Sequence, residues 1–563
     1  MSISIKVQQV QNVEWSKTLF LSIFTLFLIV GYFSALYFPV IWNETDDIAM
    51  KRIVSGYFTE DGSPYIIFSN IIWGLFLKYL YKVDSDIQWY SWVFIFLYQF
   101  VNSIIVFLSF RKGSFYLNFF FVLIIFYFQL LFFNLEYQFT IIASLCALSG
   151  YLLFIFAIKE YQTSPLWFII SYFMLICSFI IREHSFYLIS LLLFFQVVAV
   201  FVSLKIRFKF HFLIPVLLVI LAIFVHRIFY NIDDWSSCFE FQKYRSSIVD
   251  NHNFTYKSLS SEMGWSKVDF EFIQSHQYEC TSKFSIANYK KFYDLHYKNK
   301  DYFSNLSEMS LSSYKFNIVI VLAISLLSAL VVRSRYLYIH LCSYLFVIVL
   351  LLLLSKDIRI PERVILPVFL ASACFIIYSF QNKISLRFNK WSRLLPLLIF
   401  CFIFYKLNNK INNHLSRVKL FDQFYTIKRN TFFSFFNNYS NKHFILISLS
   451  SGVSKVLTDF RVFEKQEQYF NQFTILPRGW LSNSLIQKDF AKRFEINDVC
   501  KLSAFSDKNP VLLVDMAPNE RVSNYINANY SHLTIDTVYR QKFGSIYAFR
   551  FLPKPIQSKS TQD

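Results

Sequence analysis

Charged side chains are scarce in this 563-residue sequence, 16% of the total, so the places where carboxylates and arginines crowd together stand out. Four lie directly beside long apolar runs: Glu44, Asp46 and Asp47; Glu136; Arg182, Glu183 and His184; and Asp357, Arg359, Glu362 and Arg363. Polar groups at such a boundary are costly and mark functional sites by default. A carboxylate is suited to taking the proton of an attacking hydroxyl, and its pKa is expected to rise beside a second carboxylate and an apolar medium. Arginine offers a planar fork matched to phosphate oxygens. Together the two residue types suit displacement of a phosphate by a hydroxyl. Plainer roles stand beside this one. Each arginine can anchor at an interface or pair with its neighbour, and Asp46 with Asp47 can cap a helix starting at Ile48.

The elements that must hold these groups are apolar. Hydrophobic residues make up 55% of the chain and aromatics 21%, with 70 Phe and 36 Tyr, and mean hydropathy is +0.41. This excludes a disordered, collagen-like or disulfide-scaffold protein and makes a bilayer the expected solvent. Eleven apolar runs of spanning length are predicted, at 18–40, 89–110, 115–133, 139–158, 166–181, 185–204, 212–229, 316–332, 336–354, 364–380 and 391–407. Alternate short loops carry twelve cations against four, and Lys and Arg are retained on the cytoplasmic side. The N-terminus is therefore expected in the cytoplasm, with segments 42–88, 230–315 and 408–563 outside. All four charged groups then share the outer face.

Segment Pro64–Tyr81 is long enough to be taken for a further span. Its Lys78 and its interfacial aromatics Trp73, Tyr79 and Tyr81 favour a helix lying along the outer surface. The first apolar run, with Phe and Tyr near its end, fits an anchor better than a cleaved signal. Cys238 and Cys280 share the second outer segment and are a possible disulfide, the alternative being two free thiols. After Leu407, short apolar runs at His443–Ser448, Val511–Asp515, Leu533–Tyr539 and Ser545–Phe551 alternate with helical stretches at Ser484–Phe494 and Asn519–Tyr530, an α/β pattern. The net charge of +19 is spread over short loops and this tail, which is expected to be a solvated surface or one attracted to anionic lipid or polysaccharide; nucleic acid is not an expected partner.

The acidic pair in ETDDIAMKRIVSGYF (Glu44–Phe58), followed by a juxtamembrane helix and a second span, resembles the GT-C superfamily of polytopic glycosyltransferases. Closest are bacterial enzymes that modify O-antigen, the outer part of lipopolysaccharide, or other surface glycans. The resemblance covers residues 14–407, a transmembrane catalytic domain within 1–407, and leaves 408–563 as an extracytoplasmic α/β domain. It implies an inner-membrane transferase that moves a sugar from a polyprenyl-phosphate donor to a glycan or glycolipid acceptor. The first-loop base falls by position on Asp47 or Asp46, and Arg182, Arg359 and Arg363 are candidates for the donor phosphate. Glu44, Glu136, Glu183, His184 and Glu362 are supporting residues. With one base and a phosphate leaving group, inversion at the anomeric carbon is the natural expectation. The chain has no GxGxxG or Walker-type loop for a cytoplasmic nucleotide donor, and no WWDYG-type motif, so neither a cofactor nor a metal is implied. An O-antigen or capsule polymerase centred on 230–315, and a non-enzymatic lipid-glycan flippase or transporter, are the alternatives.

Overall fold

The computed structural model describes residues 18–33, 41–42, 45–112, 136–159, 165–203, 213–231, 233–249, 263–274, 282–298, 444–448, 473–477, 479–496, 511–515, 520–530, 533–540 and 547–553, with isolated positions between 345 and 434. Six predicted spans fall on helices there: α1 (Thr18–Phe33), α4 (Trp89–Lys112), α5 (Phe139–Lys159), α6 (Leu166–Ile181), α7 (Glu183–Ser203) and α8 (Leu213–Tyr230). Those predicted at 115–133, 316–332, 336–354, 364–380 and 391–407 lie outside the described residues. Within α4, α5 and α8, the stretches Trp89–Leu108, Phe139–Ile158 and Leu213–Tyr230 are long and apolar enough to cross a membrane.

α5 is the central post, with 89% of its apolar stretch buried, whereas α8 is peripheral, with 11%. Close helix contact comes from small residues. Gly150 of α5 backs onto Leu175 of α6, and Ser171 Oγ donates to the Gly150 carbonyl at 2.9 Å. Tyr151 of α5 donates to Ser190 of α7 at 2.8 Å. Around this core, Leu217, Phe224 and Ile228 on α8, Ile169 on α6 and Leu26 on α1 are exposed. So broad an apolar surface is compatible with contact to lipid tails.

Between α1 and α4 lie β1 (Ile41–Trp42), α2 (Thr45–Val54) and α3 (Ile71–Val83). β1 pairs in parallel with β2 (Glu136–Tyr137), Ile41 opposite Glu136 and Trp42 opposite Tyr137. α2 starts with Asp46 and Asp47 and ends with Lys51 and Arg52, the order its dipole favours. α3 has 13 residues, about 20 Å of helix at ~1.5 Å per residue, short of the ~30 Å hydrocarbon core. Leu75, Phe76, Tyr79 and Val83 form its exposed apolar stripe. Its N-cap Asn70 accepts from Ile72 N at 3.0 Å and donates through Nδ2 to Ala222 of α8 at 3.1 Å. The Asn70 N–H reaches Ile180 O at 2.8 Å, Ser69 Oγ reaches Ile181 O at 2.7 Å, and Ile71 N–H reaches His226 Nδ1 at 3.2 Å. α3 is thus riveted to the ends of α6 and α8.

Beyond α8 come α9 (Asp233–Val249), α10 (Lys267–Gln274) and α11 (Ile286–Lys298), joined by an aromatic cluster that includes Trp265 stacked on Phe292. Near the C-terminus β3 (Phe444–Ser448), β4 (Phe473–Ile475), β5 (Val511–Asp515), β6 (Leu533–Arg540) and β7 (Tyr547–Pro553) make one sheet in the order β4-β3-β5-β7-β6. β3 runs parallel to β4 and β5, and β7 antiparallel to β5 and β6. Helices α12 (Leu485–Arg493) and α13 (Glu520–Asn529) lie where helical stretches were predicted. The three-residue β4 is additional.

The three long segments meet one another. Tyr57 Oη accepts from Ile475 N at 3.1 Å, Lys488 pairs with Asp234 at 2.6 Å, and Phe272 of α10 stacks on Tyr525 of α13 at 3.8 Å. Of the two cysteines weighed as a disulfide or as free thiols, Cys238 is described. Its thiol is free, buried and aimed at the Ser482 carbonyl, Sγ to O 3.8 Å, because α9 turns that face inward onto the C-terminal segment. Cys280 lies outside the described residues. Burial pushes the Cys238 thiol up to about 12, against the opposing pull of Arg245 and Lys488. Between the ordinary value of 9.0 and that figure the folded chain holds a proton the unfolded chain releases, so this contribution to stability is complete below about pH 9 and falls as pH rises. At pH 8, maleimide is expected to label the Cys238 peptide only after denaturant is added, read by mass spectrometry; rapid labelling of native protein would contradict this packing.

Candidate functional site

The site grows from the first turn of α2. Asp47 is fully buried, and its Oδ1 accepts two hydrogen bonds, from Tyr90 Oη at 3.1 Å and from Phe139 N at 3.2 Å. One carboxylate thereby joins α2 to the first turns of α4 and α5. Asp46, one residue earlier, is half-buried. The adjacent acids differ in burial: Asp47 is a buried clamp and Asp46 is half-buried.

Phe139 carries the connection onward. Its ring lies against Phe68, centroids 6.3 Å apart and planes 22° from parallel. The Arg182 guanidinium sits over both rings, Cζ 5.4 Å from each centroid. Arg182 is the C-cap of α6, where its N–H bonds Ser178 O, and its Nη1 donates to Phe68 O at 3.0 Å. A guanidinium stacked on aromatic faces keeps its charge while its donors are aimed. Asp47 and Arg182, from separate predicted loops, therefore converge on Phe139.

A third segment completes the wall. Trp480 lies in the 3-10 turn Gly479–Leu481, its ring centroid 4.7 Å from that of Phe68. Phe68, Arg182 and Trp480 are all half-buried. The patch is thus a half-buried arginine framed by aromatic rings, joined through Phe139 to a buried carboxylate.

The other predicted site residues are placed differently. Glu183 and His184, next in sequence to Arg182, are exposed and pair with each other, Oε1 to Nδ1 3.5 Å. Glu136 pairs with Ile41 through its backbone in β2; its side chain is outside the described residues, as are Glu44, Arg359, Glu362 and Arg363. Two cations not singled out from the sequence are buried beside the acids: Lys51, 2% exposed, and Arg52, 5% exposed with Cζ 4.5 Å over the Tyr57 ring. Lys51 follows Asp47 by one helical turn, a signal present in the sequence. Among the described residues no group of three His, Cys, Asp or Glu side chains is placed to hold a metal ion.

Fold and site define a mostly helical protein with apolar helices of membrane-crossing length, with Asp47, Arg182 and the rings beside them where α4 and α5 begin and α6 ends. Compared with known proteins, the chain matches no family model and no curated protein.

Proposed function

We propose that the chain is a polytopic glycosyltransferase of GT-C type, with eleven spans, a cytoplasmic N-terminus and an extracytoplasmic C-terminal module, acting at the outer face of a bacterial inner membrane. The observation that carries this is the meeting of Asp47 and Arg182 on Phe139. It joins a carboxylate to a guanidinium at the ends of apolar helices, a pairing suited to displacement of a phosphate by a hydroxyl.

In the proposed reaction Asp46 takes the acceptor hydroxyl proton, the oxygen attacks the anomeric carbon of a polyprenyl-phosphate sugar, and the bond to phosphate breaks with its electron pair leaving on the phosphate oxygen. Arg182 neutralises that charge, with Arg359 and Arg363 as further candidates. Asp47 fixes the helix that presents Asp46. The stripe of Leu75, Phe76, Tyr79 and Val83 suits α3 to lie at the lipid surface beside the incoming donor.

The test is mass analysis of the surface glycan from cells with and without the gene. Loss of a single residue mass per repeat is the expected result. Shortened chains would make the protein a polymerase, and loss of the whole glycan from the surface would make it an exporter.

A further inference from the structure

The turn that carries Trp480 is held far more firmly than a surface loop needs. Ser482 O accepts from Gln242 Nε2 at 3.2 Å and from Cys238 Sγ, which pins the turn to α9. On its other side Gln487 donates through Nε2 to Pro477 O at 2.9 Å and accepts through Oε1 from Asn483 N at 2.9 Å. Ser484 caps α12 by accepting from Gln487 N at 3.2 Å. Two residues take left-handed backbone, Gly479 at φ 69° and Asn483 at φ 63°, and open space surrounds Gly479. Left-handed backbone supplied by the two residue types that adopt it readily, within a hydrogen-bonded frame, holds a side chain in a fixed pose. What the frame presents is an indole, half-buried, on the Phe68 ring that also touches Arg182.

We propose that Trp480, backed by Phe68, forms a stacking platform for a sugar ring of the acceptor glycan, so that the C-terminal module selects the acceptor while the helical bundle holds the donor. This rests on the transferase function proposed above. A pyranose presents a face of C–H groups between its hydroxyls, and a rigid aromatic plane packs against it at little entropic cost. The donor, anchored by its lipid, arrives through the bilayer. The acceptor comes from the aqueous side, and Trp480 belongs to the segment continuous with the soluble sheet.

The experiment uses full-length protein in native membranes, a synthetic polyprenyl-phosphate sugar as donor, and glycan extracted from gene-deleted cells as acceptor. Trp480→Ala is expected to raise the apparent KM for that glycan about tenfold or more and leave the donor KM within twofold, whereas Trp480→Phe stays within about threefold on both. A rise confined to the donor KM would assign the platform to the donor sugar and overturn the proposal. So would a loss shared equally by both parameters, an unchanged acceptor KM, or a Phe variant as poor as Ala. Should Trp480→Ala reach the membrane at low abundance, Trp480→Phe and Trp480→Leu at normal abundance must separate in acceptor KM, and equality between them would likewise overturn it. Absence of transfer by the unaltered protein would remove the transferase function, and the platform with it; transfer that depends on Asp46 and ignores residue 480 would remove the platform alone.

Discussion

Asp46→Asn is expected to lower sugar transfer by about 10²–10⁴-fold, the usual contribution of a positioned general base, with the protein at normal abundance in the membrane. The amide keeps the size of the carboxylate but cannot accept the proton. Asp47→Ala is expected to act differently, because it strips the acceptor from two buried donors, Tyr90 Oη and Phe139 N–H. Each donor left without a partner costs about 1–3 kcal/mol, so this variant should unfold at lower temperature and accumulate less. Asp47→Asn, which retains an acceptor oxygen, should fall between wild type and Asp47→Ala in stability. Transfer rate per molecule and detergent-phase melting, measured on all three, separate chemistry from positioning. Full activity in both Asn variants would remove the carboxylates from the mechanism.

The second large effect is structural. Gly74 lies on the buried face of α3, and a Cβ there would collide with the carbonyl oxygen of Pro64. The obstacle is backbone, which cannot rotate aside as a side chain would. Gly74→Ala is expected to cost about 3 kcal/mol or more, at the upper end for overpacked sites, and to dislodge α3 from α6 and α8. The contrast is Gly479→Ala, where only the left-handed backbone opposes the methyl group and the cost is about 1 kcal/mol. Comparing the unfolding temperatures of the two variants checks both statements; equal values would contradict the close packing of α3 on residue 64.

The apolar elements were the most legible in the sequence. α6 occupies Leu166–Ile181 as predicted, because an unbroken apolar run ends abruptly at Arg182 and begins after Pro165. The longer C-terminal strands were legible as short apolar runs between polar segments, whereas Phe473–Ile475 is too brief to rise above its surroundings. Of the site, Asp46, Asp47 and Arg182 could be found because charges are rare here, and a carboxylate beside a lipid boundary is conspicuous. Phe68, Phe139 and Trp480 could not. In a chain that is 21% aromatic, one more Phe or Trp carries no information until its neighbours are known. The division of labour between Asp46 and Asp47 was also invisible, since it depends on Tyr90 and on a backbone N–H from a distant helix. For Cys238 too, spacing says which sulfurs share a segment, but the face of α9 decides which way its thiol turns.

The aromatic wall has a consequence for biogenesis. Asp46, Asp47 and Arg182 leave the ribosome early, but Trp480 is synthesised far downstream and reaches Phe68 only after the segment that carries it has been made and has folded. A nascent chain that ends before residue 480 thus owns the acid and the guanidinium without the indole beside them. The aromatic wall is therefore completed last, by a segment synthesised after the helices it packs on.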